Sequence, residues 1–463
     1  MDFLNQLVSD VNGVLWGVFF LIPLLCGTGI FYTIKLRFVQ VRKFGLAARF
    51  LLGGASLFGK RADKSGMSSF QALATAVAAQ VGTGNVAGTA TALVAGGPGS
   101  LFWLWVAAFF GMATIFAEAV LAQTYRTKDE QGRVLGGPAY YITLGMGEKW
   151  RPLAVFFSIA IIIALGCIGN MVQSNSIGDA FHNAFGVNRV VVGVVIAVLA
   201  AFIFLGGVKR IAAVTEKLVP IMAAVFLLGG VVVLIARIQY VPATFGMIFK
   251  YAFQPQAIVG GAFGTALKAA ISQGAKRGLF SNEAGMGSTP HAHAQANVKE
   301  PHEQGCVAMI GVFIDTFVVL TLNALVVIST LYTSDGILAN GYTGAVTEVV
   351  NKTNLTQTAF GLVFGEQFGA VFIAITLFFF AFSTILGWNL FGKINVAYLF
   401  GEKATKVYTI LALIFIFLGT LASNDLVWEL SDMFNNLMVI PNALALFALT
   451  GMVQAAMKRV NKL

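Results

Sequence analysis

Charge is what this chain has least of. Only 11% of its 463 residues are Asp, Glu, Lys or Arg, against roughly a quarter in a soluble globular protein. So few charges exclude a water-exposed surface over most of the molecule. Cysteine is scarce too: Cys26, Cys167 and Cys306 stand far apart with no C-x-x-C spacing, which leaves neither a disulfide framework nor a thiolate metal cluster. His291 and His293 lie close together, but two imidazoles without a third ligand make no metal centre. A membrane enzyme would need a nucleophile with its base, or a full ligand set, and these scattered residues provide neither.

What is abundant is apolar. Hydrophobic residues make up 57% of the chain, with a mean hydropathy of +0.81. Runs of about 20 apolar residues recur, each long enough to cross a ~30 Å hydrocarbon core. The fold class is therefore an all-α polytopic membrane protein. Expected spans lie at 11–34, 68–97, 100–124, 152–182, 188–206, 211–237, 305–333, 366–398, 404–422 and 426–454. A Gly-rich, partly polar stretch between 237 and 305 adds one interrupted span, for about eleven in all. The net charge of +10 might suggest nucleic acid, but the charges sit elsewhere. If the amino terminus is outside, 23 of the 30 Lys and Arg fall on one side, and Arg189, Arg237, Lys250 and Lys352 on the other. That side is cytoplasmic by the positive-inside rule, and it holds the carboxy terminus. The segment 37–54 mixes Phe38, Val41 and Phe44 with Arg37, Arg42, Lys43 and Arg49, the pattern of an amphipathic helix on the inner membrane surface or of a solvated basic loop.

One span does not read like lipid-facing helix. AAQVGTGNVAGTATALVAGG (78–97) carries Gln80, Thr83, Asn85, Thr89 and Thr91 among five glycines. Irregular backbone survives at membrane depth only inside protein or against a water-filled cavity. V-G-T-G-N (81–85) therefore reads as a helix interrupted near the midplane, with free carbonyls for a cation and free N–H groups for a carboxylate. The alternative is a continuous helix whose Gly84 and Gly88 permit tight packing. The spacing does not match the G-x-G-x-x-G of a nucleotide loop.

A second interruption is expected where a second half of the chain would open. GLFSNEAGMGSTP (278–290) is the better candidate, with Ser281, Asn282, Gly285 and Gly287; VGGAFGT (259–265) is the rival. Ser383 and Thr384 sit within a long apolar run with Trp388 one turn on; paired hydroxyls suit a hard cation, though each can equally bond back to its own helix. GCIGNMVQSNSIGD (166–179) carries Asn170, Gln173, Ser174 and Asn175, too many amides for a lipid face. Asp315 is the carboxylate expected deepest in the bilayer, as a possible coupling acid or a neutral structural group, with Lys268 a possible partner. Glu118 is expected at the inner interface. The scarcity of buried charge favours a zwitterionic substrate.

AQVGTGNVAG (79–88) followed by GGPGSLFWLWVAAFFG (96–111), together with GLFSNEAGMGS (278–288) and STILGW (383–388), resembles the alanine-or-glycine:cation symporter family. The resemblance extends over essentially the whole chain. It implies a leucine-transporter-like fold, one extra amino-terminal helix (11–34) preceding a five-plus-five inverted repeat with discontinuous first and sixth core helices. On that plan 35–65 is a cytoplasmic basic segment, 66–240 and 241–454 are the repeats, and 455–463 is a cytoplasmic tail. The resemblance further implies a Na⁺ site from the carbonyls of Ala78 and Val81 with the hydroxyls of Ser383 and Thr384. Asn85 and the N–H groups of Gly82, Thr83 and Gly84 would meet a substrate carboxylate, and Phe280, Asn282, Gly285 and Trp388 would shape a small pocket. Gln173 joins this set on helix-face polarity alone. The implied activity is Na⁺-coupled uptake of alanine or glycine across a prokaryotic cytoplasmic membrane; some members are thought to carry glutamine. Na⁺ is the co-transported ion expected, with proton coupling as the alternative, no organic cofactor and no nucleic-acid partner.

Overall fold

In hydrocarbon the backbone must bond to itself, and the apolar runs accordingly fold as helices. A computed structural model describes residues 2–15, 20–54, 66–254, 263–333, 335–339 and 354–460. Helices α1 (Asp2–Leu15), α2 (Leu21–Lys35) and α3 (Phe44–Gly54) precede α4 (Ser69–Gln80), α5 (Thr89–Gly96) and α6 (Gly99–Thr124). A hairpin of β1 (Thr127–Lys128) and β2 (Val134–Leu135) leads to α7 (Glu148–Phe185), α8 (Arg189–Phe204), α9 (Gly207–Ala236) and α10 (Val241–Phe253). The remainder is α11 (Phe263–Asn282), α12 (Pro290–Ala294), α13 (Pro301–Tyr332), α14 (Leu355–Phe364), α15 (Glu366–Phe400), α16 (Ala404–Gly419), α17 (Asn424–Ala448) and α18 (Thr450–Val460).

Among the described residues five helices, α6, α7, α9, α13 and α15, are each long and apolar enough to cross a membrane, and the pair α17–α18, bent by 60°, adds a sixth if it is one span. The eleven expected spans include interrupted and shorter helices, which a test of unbroken length passes over. A count of apolar runs ignores breaks, so 68–97 reads as one span although the chain leaves helix between α4 and α5. Helices α2, α8 and α16 are apolar but only 15 or 16 residues long.

Burial separates centre from rim. The apolar window of α6 is 78% buried and that of α9 only 33%, so α6 belongs to the core while Leu228 and Ile235 of α9 face outward. Helix α15 packs against α4, α7, α9, α14 and α16, and α11 lies along α5 and α6. After α2 the chain turns through Arg37 and Phe38, both at positive φ. Helix α3 then packs on α13, where Phe44 meets Phe313 edge-on at 5.0 Å; Phe38 and Val41 stay exposed. The rest of the basic segment, 55–65, lies outside the described residues.

Ser68 caps α4 reciprocally with Gln71, satisfying two helix-end N–H groups. Just before it, the Met67 N–H donates to the Gln295 carbonyl (2.7 Å) and the Asn297 N–H to the Met67 carbonyl (2.8 Å). This parallel bridge joins the start of α4 to the segment after α12. The Gln295 amide donates in turn to the Val134 carbonyl of β2 (2.9 Å), and Arg133 pairs with Glu402 beyond α15 at 2.9 Å.

Candidate functional site

Helix α4 stops at Gln80, and Val81 takes φ −82°, ψ 88°. Helical structure resumes as a wide π turn, Gly84–Gly88, that runs into α5. Two freed N–H groups have taken side-chain oxygens: Gly82 donates to Asn85 Oδ1 (2.9 Å) and Thr83 to Gln173 Oε1 (3.1 Å). The buried Thr83 hydroxyl has no partner among the described residues. Gly82 is required by proximity, since a Cβ there would lie 2.4 Å from Thr384 Oγ1 and 3.0 Å from Gln173 Oε1.

The freed carbonyls point to α15. Thr384 Oγ1 lies 2.8 Å from the Ala78 carbonyl and 3.4 Å from that of Val81, and Ser383 Oγ lies 3.4 Å from Ala78 O. Each hydroxyl also reaches the Phe380 carbonyl, at 2.8 Å from Ser383 and 3.1 Å from Thr384. Back-bonding within the helix and a cation site are therefore compatible. With their protons turned to Phe380, the hydroxyls would present lone pairs beside two carbonyls, a hard-oxygen cluster suited to an alkali cation.

Helix α11 runs through 263–265 and ends at Asn282; the remainder of the rival 259–265 stretch lies outside the described residues. Glu283, Gly285 and Gly287 then take φ of 57°, 86° and 79° before α12 begins. For Glu283 this left-handed conformation is unusual, and its carboxylate is held fast: it accepts from the Trp388 indole N–H and from the Ser288 hydroxyl, both at 2.5 Å. Glu118 is fully buried, accepting from the N–H groups of Gly285 (3.1 Å) and Gly287 (2.9 Å) and from Asn442 Nδ2 (2.7 Å). A Cβ at Gly285 would meet Leu25 of α2 at 2.8 Å and Thr114 of α6 at 3.5 Å. Glu118→Gln would set an amide donor against one of these N–H donors. We expect it to cost about 2–3 kcal/mol, read as a lower melting temperature in detergent; unchanged melting would refute this fastening.

Side chains tie the two interruptions together. Gln80 Nε2 donates to the Asn282 carbonyl (2.7 Å). Asp315 receives Asn85 Nδ2 (2.7 Å) from the first and Ser281 Oγ (2.9 Å) from the second, with Thr316 Oγ1 at 2.9 Å. Its proposed partner Lys268 is instead exposed on α11. The Phe280 ring meets Trp388 at 6.3 Å and Trp428 at 5.4 Å. Of the amides on α7 only Gln173 reaches the break; Asn170 bonds back to Gly166 and Asn175 binds the Gly419 and Ala422 carbonyls at the end of α16.

Sequence reasoning missed Glu283, Trp428, Asn442 and an ion cluster. Lys276 Nζ lies 2.6 Å and Arg277 3.4 Å from the carboxylate of Asp432, with Arg277 over the Trp428 ring at 5.0 Å. With Glu118, Glu283 and Asp315 also buried, charge is not scarce in the interior. The signal available was D-M-F-N-N (432–436), a polar run inside an otherwise apolar span.

A sequence model of the sodium:alanine symporter family matches residues 1–462. The chain belongs to the sodium:alanine symporter family. Its relatives in that family include the sodium/alanine symporter AgcS of Methanococcus maripaludis, 42% identical across 100% of this chain and 98% of that one. A probable sodium/glutamine symporter, GlnT of Bacillus subtilis, is 38% identical across 98% and 90%. The solved structure of MhsT in complex with L-phenylalanine is similar with a TM-score of 0.62 at 13% identity, over 86% of this chain and 93% of that one. That likeness gives the sodium:alanine symporter chain the leucine-transporter type of fold. The chain is thus a membrane transporter and not an enzyme.

Proposed function

We propose that this transporter couples inward movement of Na⁺ to uptake of a small neutral amino acid, alanine or glycine, by alternating access. The observation that carries the reading is the cluster of Ala78 and Val81 carbonyls with the Ser383 and Thr384 hydroxyls, all within 2.8–3.4 Å along the Ala78 and Val81 contacts. Na⁺ binds there. The substrate carboxylate takes the N–H groups at Gly82, Thr83 and Gly84, displacing the amide oxygens of Asn85 and Gln173. Phe280, Asn282 and Trp388 wall the side chain; Gly285 shapes the pocket only through the backbone that Glu118 fastens. The chain is read as one amino-terminal helix and two inverted repeats of five, at 66–240 and 241–454, in a prokaryotic cytoplasmic membrane with its amino terminus outside.

The energetics suffice with one ion. A Na⁺ moving down ~100 mV yields about 2.3 kcal/mol, and a tenfold gradient adds about 1.4 kcal/mol. Together they support roughly 500-fold accumulation of a zwitterion. A second reading, proton coupling, is favoured by Asp315, a fully buried carboxylate that bridges both interruptions. A glutamine-preferring carrier is the other variant.

Uptake of labelled L-alanine into proteoliposomes, under an inward Na⁺ gradient and under an equal K⁺ gradient, tests the proposal. Accumulation is expected only with Na⁺. Ser383→Ala with Thr384→Ala should raise the Na⁺ concentration for half-maximal uptake by at least about tenfold, the ~1.4 kcal/mol of one or two lost oxygen ligands. Uptake that follows a pH gradient and ignores Na⁺ would transfer coupling to Asp315.

A further inference from the structure

Beside the backbone bridge of Met67, Gln295 and Asn297 lies a cavity of about 420 Å³, a size that suits a small ligand or a headgroup. Gly66 and Gln295 border it, and its walls come from the β1–β2 hairpin, the start of α9 and the end of α15. Leu390 and Ile394 give it apolar surface, while Arg133, Lys209 and Lys393 bring positive charge. Glu402 is the one acid among the described lining residues. It is engaged by Arg133 at 2.9 Å, and Arg133 also holds Asp129 at 2.7 Å. Neither Lys209 nor Lys393 makes a hydrogen bond or an ion pair within 4 Å among the described residues. Lys393 is nonetheless half-buried, and a cation drawn out of water calls for a counter-charge.

The backbone adds to this field. Helix α9 begins at Gly207 with no side chain capping it, and its first residues, Gly207, Val208 and Lys209, line the cavity. The first N–H groups of a helix have no partner within it and carry the positive end of its dipole. Two ammonium groups and such a helix start are donors without acceptors. A phosphate matches them, because its oxygens accept charge-assisted bonds from several sides at once. The neighbouring residues indicate its source. Leu205, next to the lining residue Gly206, is 83% exposed, and Phe400, two residues before Glu402, is 70% exposed. In a membrane such side chains meet acyl chains, so a lipid whose tails lie along them brings its headgroup to the cavity. Basic pockets between membrane helices bind anionic headgroups in this way.

We propose that this cavity binds a phosphate ester anion, the headgroup of an anionic phospholipid, between Lys209, Lys393 and the start of α9. Binding there ties α9 to α15 next to the Met67 bridge and so stabilises the folded transporter. The inference does not depend on which ion or amino acid is carried.

The test adds phosphatidylglycerol, phosphatidylcholine or sn-glycerol 3-phosphate to the purified protein in detergent and follows its melting temperature. Phosphatidylglycerol should raise it saturably, and phosphatidylcholine should not. Lys209→Gln with Lys393→Gln should increase the half-saturating phosphatidylglycerol concentration at least about tenfold. Lys209 is exposed, so Lys209→Gln alone keeps the fold and should still cost about fivefold. Ala397→Phe narrows the cavity without changing charge and should also weaken binding. Lys403→Gln with Lys406→Gln removes equal charge from exposed positions outside the cavity and should stay within about twofold of the parent. A response to sn-glycerol 3-phosphate as strong as that to the lipid would support the phosphate site and make its source soluble. No saturable response of the parent to either phosphate compound would overturn the proposal. So would an equal loss in both lysine pairs, the mark of unspecific attraction to a charged surface, or undiminished binding in Lys209→Gln and Ala397→Phe.

Discussion

Gly82→Ala is expected to abolish most Na⁺-driven uptake. The added methyl would sit 2.4 Å from Thr384 Oγ1, far inside contact distance, and neither neighbour is free to yield. Thr384 is held by the Ala78 and Phe380 carbonyls, and Gln173 by the Thr83 N–H. Overpacking of this kind costs about 1–3 kcal/mol, which would weaken Na⁺ affinity by about five- to 150-fold if it falls on the bound state. Pairing the change with Thr384→Ala separates packing from ligation. The double variant removes the clash but also an ion ligand, so its melting temperature should return to that of Thr384→Ala while uptake stays low. Normal Na⁺ affinity in Gly82→Ala would show that the break and α15 do not approach as described.

Asp432→Ala is expected to be the most destabilising single change. It would leave Lys276 and Arg277 buried without their shared carboxylate. Breaking a buried ion cluster from one side costs about 3–5 kcal/mol, whereas replacing the whole cluster with apolar groups of similar volume is often neutral. The prediction therefore has two parts. Asp432→Ala alone should elute as aggregate or melt far below the parent in detergent. Asp432→Leu with Lys276→Met and Arg277→Met should recover most of the monodisperse protein. If the single variant melts like its parent, water reaches these cations and the cluster contributes little.

The sequence made the membrane class legible, because charge depletion and run length are properties of whole segments. It also located the first break, since glycines beside Gln80 and Asn85 serve no lipid-facing purpose. The structure brings Ser383, Thr384, Ala78 and Val81 together, residues some three hundred positions apart that the family resemblance alone had paired. What stayed hidden is who answers whom. Glu118 stands near the end of an apolar run, and its partners are backbone N–H groups of Gly285 and Gly287, which no pattern of side chains announces. Lys268 looked like a partner for Asp315 because charges are expected to pair, but amide and hydroxyl donors satisfy that carboxylate instead. Hydropathy hid Asp432 in the same way: a short polar run inside a long apolar span lowers a window average without breaking it.

The bridge between Met67 and Ala296 has a consequence for how this chain can evolve. It joins the start of α4 to the segment after α12 through backbone atoms alone, so any motion that parts these two ends either carries them as one body or breaks two N–H···O bonds. Most substitutions at this junction leave its peptide groups in place, though buried Met67 and Ala296 limit side-chain size there. Proline is the exception, because it deletes the N–H. At 67 or 297 it would strike the coupling of the two halves directly, a mechanical linkage that ordinary mutational scanning with alanine would pass over in silence.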